Sequence, residues 1–106
     1  MPDILFSVTA KDGREIRLTH TQWKHIAFRH PEMGSKPHEI KEALRNPTTM
    51  RKHSEHITKF YKSLKEEKKY IMVAVKILDH EGFVVTAYLT RKIQRERTHE
   101  NEGNHL

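Results

Sequence analysis

The sequence predicts an α+β domain in which an N-terminal hairpin and two helices pack on a four-stranded antiparallel meander. Three observations carry that expectation. Apolar residues recur at helical spacing between about residues 20 and 45. From Thr48 onward the repeat shortens to the two-residue period of strands. Turn residues then divide the second half into strand-length pieces whose spacing suits consecutive hairpins. Helices grouped before a run of strands define the α+β class.

Ile4 to Val8 reads as a strand, Asp12-Gly13 as a turn, and Glu15-Ile16-Arg17-Leu18 as the alternating return strand of a hairpin. Thr19 to Thr21 supplies N-cap candidates for the first helix. On its wheel Trp23, Ile26, Ala27 and His30 share the apolar side, with His25 and Arg29 opposite. Pro31 ends this helix. Gly34-Ser35 breaks the chain, Ser35 is the expected cap of the second helix, and Pro37 suits its first turn. Ile40, Ala43 and Leu44 form the stripe of that helix, and Asn46-Pro47 stops it.

Four strands are expected next: Thr48 to Ser54, Ile57 to Leu64, Tyr70 to Leu78 and, after a turn at Asp79 to Gly82, Phe83 to Thr90. Residues 1–92 are expected to form one domain and 93–106 a polar, flexible C-terminal tail. A chain of 106 residues has room for one core. It contains no cysteine, which excludes disulfides, thiolate metal sites and cysteine nucleophiles. The longest purely apolar run, Ile71 to Val75, is far short of a membrane span. Met1-Pro2-Asp3 does not resemble a signal peptide, so a cytoplasmic location is expected.

The net charge is +6, and its distribution is uneven. Between Arg45 and Lys76 there are nine Lys and Arg against three Glu, while the rest of the chain is balanced. Such a segment suits either a solvated lysine-rich surface or a polyanionic partner, above all nucleic acid. Strand alternation assigns the charge to a face. It places Phe83, Val85, Ala87 and Leu89 with Ile71, Val73, Val75 and Ile77 on the core side, together with Phe60, Leu64, Thr58 and Lys62. The other side presents Lys59, Tyr61, Tyr70, Lys76, Thr86 and Tyr88. Cations bind phosphates, phenol rings stack on bases and hydroxyls donate to phosphate oxygens, a set that suits single-stranded RNA. The same residue types also populate an ordinary solvated sheet face.

His20, His25 and His30 recur every five residues, a step that does not converge side chains from one helix, so no metal site is expected. His30 falls at a helix C-terminus, where the macrodipole favours cations, and suits a cap, a general acid/base or a phosphate ligand. His25 and Arg29 form the exposed pair of this helix, either a solvated face or a phosphate-binding imidazole and guanidinium.

Trp23-Lys24-His25-Ile26 with Arg29-His30-Pro31-Glu32, Ile40 to Pro47, Phe60-Tyr61-Lys62 and Val84-Val85-Thr86-Ala87-Tyr88 together resemble the phage nuclease-like domains grouped with barnase, EndoU, colicin D and RelE, the BECR fold. The resemblance covers about residues 4–92. It implies a barnase/RelE-like fold and a small metal-independent endoribonuclease, a toxin or phage-associated effector in which the RNA 2′-OH attacks the adjacent phosphate. Carried over, His25, Arg29 and His30 match the helix motif, Tyr61 and Lys62 the mid-sheet motif, and Thr86 and Tyr88 the last-strand motif. The implied catalytic set is His25, His30, Arg29, Thr86 and Tyr88. Lys59, Tyr61, Lys62, Tyr70 and Lys76 are the RNA-binding candidates, with Arg51 added from its charge and position. The chain departs from barnase in offering no carboxylate base on the open face, which leaves a histidine base or positioning by cations alone. The partner expected is single-stranded or tRNA-like RNA, without a cofactor and without a membrane. Two other readings use the same residues: a non-catalytic RNA-binding module, and an interaction protein whose basic face docks an acidic antitoxin or immunity protein.

Overall fold

The computed structural model describes residues 3–94. The element order is β1 (Ile4–Thr9), β2 (Glu15–Thr19), α1 (His20–Arg29), a 3₁₀ turn (Pro31–Ser35), α2 (Pro37–Arg45), β3 (Thr49–Lys52), β4 (Ile57–Leu64), a second 3₁₀ turn (Lys65–Glu67), β5 (Lys69–Leu78) and β6 (Glu81–Thr90). The class is α+β, but the sheet is neither four-stranded nor wholly antiparallel. It has six strands in the order β1-β2-β6-β5-β4-β3. The hairpin joins the meander through a short parallel pairing of β2 with β6, Glu15 to Arg17 against Glu81 to Phe83. That pairing links residues more than sixty positions apart, so no local pattern announces it. Gly82 makes it feasible, since a Cβ there would lie 2.5 Å from the Lys76 carbonyl oxygen and 3.1 Å from Ile16 Cδ1.

The sheet curls around α2, which touches β1, β4 and β5. Ile40, Ala43 and Leu44 of α2 are fully buried among Ile16, Leu18, Phe60, Ile71, Val73 and Val75, the main core. This is the amphipathic burial expected of a helix with apolar residues three and four apart. Its cap differs from the expectation: Lys36, not Ser35, is the N-cap, with no side-chain hydrogen bond. Lys36 instead pairs with Glu67 at 2.9 Å, tying the start of α2 to the second 3₁₀ turn.

α1 begins as expected, with Thr19 Oγ1 accepting from the Gln22 backbone N–H at 3.0 Å. Following β2 directly in the chain, it packs against β6 around Val85 and Thr86. Ile26 enters the core and Trp23 packs against it. After Arg29 the His30 amide closes the last turn on the Ile26 carbonyl. The 3₁₀ turn then buries Met33 completely.

The expected face of β6 is wrong in its first half. Ala74 pairs with Thr86 but Val75 pairs with Val84, so Val85 is an extra residue, a bulge. The bulge reverses the alternation before it. Val84 is buried in the main core, and Phe83 is 40% exposed opposite Lys76. Beyond it Ala87 and Leu89 return to the core side as expected.

Candidate functional site: the seam between the first helix and the last strand

Where β2 stops pairing with β6, α1 takes its place. The Gln22 side-chain amide donates to the Val85 carbonyl at the bulge, much as a neighbouring strand would. The helix side chains leave a cleft of about 400 Å³ beside this contact, lined by Gln22, His25, Ile26, Arg29, Val85 and Thr86. Ile26 and Val85 supply its apolar lining, and Gln22, His25, Arg29 and Thr86 its polar groups. His25 and Arg29 are one turn apart on α1, so their side chains project together. They are exposed, and neither has a hydrogen-bond or ion-pair partner among the described residues. The cleft's lining carries no carboxylate among the described residues.

His30 follows at the helix end. Its ring lies 5.2 Å from the Tyr88 ring, tilted by 44°, and its Nδ1 is 4.0 Å from a Glu32 carboxylate oxygen. Tyr88 is two residues beyond Thr86 and on the same side of the strand. A wheel of α1 alone separates His25 from His30. β6 running alongside reunites them, one near Thr86 and the other near Tyr88. His25, Arg29 and Thr86 therefore line the cleft itself, and His30 with Tyr88 forms a second contact further along the same helix–strand boundary.

The RNA-binding candidates do not join them as a single surface. Tyr61 is on the expected face but is only 1% exposed. It forms a second small core with Met72 and Ala74, against which Ile57, Tyr70, Tyr88 and Ile93 pack. The expected open face is thus partly covered by residues that follow β6. Gln94 N–H donates to Tyr61 Oη at 3.3 Å, and Lys59 Nζ donates to Gln94 Oε1. Ile93 and Gln94 lie just past the domain boundary expected at residue 92, and the rest of the expected tail, 95–106, lies outside the described residues. Tyr70 meets Tyr61 edge-on at 6.5 Å between ring centroids.

Lys62 is on the helix-covered side, directly opposite the buried Ile71. Its Nζ donates to the Asn46 carbonyl at 2.9 Å, where it complements the C-terminal end of α2. Arg51 bonds within its own strand, to Thr49 Oγ1 at 2.6 Å and the Met50 carbonyl at 3.1 Å. β3 is three strands from β6, roughly 14 Å at the usual spacing. Lys76 is exposed beside Phe83.

Two residues of α1 carried no sequence signal as site residues, Gln22 in the cleft lining and Phe28 outside it. Gln22 lacked any motif, and its role depends on a bulge that the sequence does not mark. Phe28 is 86% exposed on α1; its position off the Trp23, Ile26 and Ala27 stripe was the available signal. Among the described residues no group of three or more histidine or acidic side chains is placed to hold a metal ion. No helix there is long and apolar enough to cross a membrane. A scan against protein-family models, a search of curated proteins and a search of solved structures each find no match.

Proposed function

We propose that the α1–β6 seam binds the phosphodiester backbone of RNA and cleaves it without a metal ion, in a domain of barnase/RelE-like type. One observation carries the reading: an unpaired guanidinium, an unpaired imidazole and a hydroxyl line one cleft whose lining has no carboxylate among the described residues. That combination attracts a phosphate and offers it donors. The resemblance of the α1 and β6 motifs to BECR nucleases supports the same assignment.

In the proposed reaction, one histidine of the His25/His30 pair removes the 2′-OH proton. The O2′ attacks phosphorus, and the P–O5′ bond breaks. The other histidine protonates the departing 5′-oxygen, leaving a 2′,3′-cyclic phosphate. Arg29 stabilises the charge that builds on the phosphorane oxygens, and Thr86 and Tyr88 hold the backbone in place.

The test is incubation of single-stranded RNA with the protein in EDTA. Cleavage should yield 2′,3′-cyclic phosphate ends and stop where the ribose 2′-OH is replaced by hydrogen. His25→Ala and His30→Ala should each slow it by about 10²–10⁴-fold, the usual worth of general acid/base catalysis. Binding with a steep salt dependence but no cleavage at any stoichiometry would leave a non-catalytic RNA-binding module.

A further inference from the structure

We propose that Phe28 is a stacking platform for an unpaired nucleobase, making the seam a reader of single-stranded rather than duplex RNA; this rests on the RNA reading above. Phe28 is 86% exposed, twice the 43% of Leu78, the next most exposed large apolar residue described. A solvent-facing helix position is ordinarily polar, and the main core does not use this ring. Its surroundings suit a nucleotide. Lys24 and His25 precede it by four and three residues, and such pairs sit about 5–6 Å apart at Cβ on one helix face. Arg29 follows it directly. The first carboxylate beyond it in sequence, Glu32, lies past the helix end beside His30.

Positive charge around an exposed aromatic ring complements a base stacked on the ring with its phosphate at the cations. His25 lies on the Phe28 face of α1 and also lines the cleft, so a base on Phe28 is connected through His25 to a phosphate in the cleft beside Arg29. A paired base is stacked inside its helix and cannot occupy the ring, which is the source of the strand selectivity. Charge complementarity favours this occupant over a second copy of the chain, since two such faces would bring Lys24 and Arg29 against their own like charges.

The test uses a 2′-O-methyl oligonucleotide, which lacks the attacking hydroxyl, carrying one 2-aminopurine. Wild type should bind the single strand more tightly than the matching duplex and quench the aminopurine. Phe28→Ala should weaken single-strand binding by about 5- to 150-fold, the range for loss of one stacked base. It should abolish the quench and leave the salt dependence unchanged. Phe28→Trp should restore affinity. Wild-type affinity and quenching in Phe28→Ala, or equal binding of duplex and single strand by wild type, overturns the platform while leaving RNA binding intact. Dimers that Phe28→Ala dissolves with RNA affinity unchanged would assign the ring to a second copy and also overturn it. A wild type that binds neither oligonucleotide removes the RNA reading itself, and the platform with it.

Discussion

The side-chain amide of Gln22 holds the carbonyl of Val85, the extra residue in β6, and so joins the first helix to the last strand. This contact replaces a strand partner where β2 has already diverged. Gln22→Ala leaves that half-buried carbonyl unpaired and should cost about 1 kcal/mol. In thermal unfolding this corresponds to roughly 4–8 °C for a domain of this size. RNA cleavage should fall further than stability alone explains, because His25 and Thr86 are then no longer held across a fixed gap. A variant with unchanged Tm would show that the seam is held by packing of Ile26 instead.

Gly82 is the tightest point in the β2–β6 pairing. Gly82→Ala places a Cβ 2.5 Å from the Lys76 carbonyl oxygen, a backbone atom that cannot swing aside. The expected cost is about 1–3 kcal/mol, as for other overpacked sites. Gly34→Ala is the control: nothing lies within 4 Å of its added Cβ, so stability should stay within about 0.5 kcal/mol. Urea titration of both variants distinguishes them.

The second core on the convex face predicts a separation of stability from RNA binding. Ile93→Ala removes part of the cover over Tyr61, Met72 and Ala74 and should cost about 1–2 kcal/mol, less than complete loss of a fully buried aliphatic side chain. Its RNA affinity should fall by less than that of Arg29→Ala, because Ile93 does not line the cleft and reaches the site only through the core it shares with Tyr88. A large gain in RNA affinity on uncovering Tyr61 would move the binding surface back onto the sheet.

Much of the fold was legible where the cause is local. The Thr19 cap, the stripe of Ile40, Ala43 and Leu44, and the alternation of Ile71, Val73 and Val75 each follow from neighbouring residues. The meander order followed from turn spacing. The parallel β2–β6 contact did not, because it depends on residues distant in sequence. The Val85 bulge was equally hidden, since inserting one residue into a β-branched strand changes no residue type yet reverses Phe83 and Val84. At the site, the motif residues on α1 and β6 were readable, but their meeting is a tertiary fact. Tyr61 was assigned to the correct face and still misread, because Ile93 covers it.

The Lys36–Glu67 pair predicts a pH dependence of stability. Its hydrogen bond with Glu67 holds the Lys36 ammonium above the ordinary lysine range, overriding a burial effect in the other direction. The raised value means the folded state holds this proton more tightly than the unfolded chain. The pair's stabilisation is therefore complete below the unfolded lysine pKa, about 10.4, and is lost as pH rises through the folded value. The difference in unfolding free energy between wild type and Lys36→Met should be about 0.2–1 kcal/mol at neutral pH, because Glu67 is partly exposed. It should shrink above pH 10.5.

The most direct test of the seam as the binding site is amide chemical-shift mapping with an uncleavable 2′-O-methyl single strand. The largest shifts should fall on Gln22 to His30 and on Val85 to Tyr88, and Arg29→Ala should reduce both the shifts and the salt dependence of binding. Shifts confined to Arg51, Lys59 and Lys76, with α1 silent, would contradict the account, and so would a spectrum unchanged at saturating oligonucleotide.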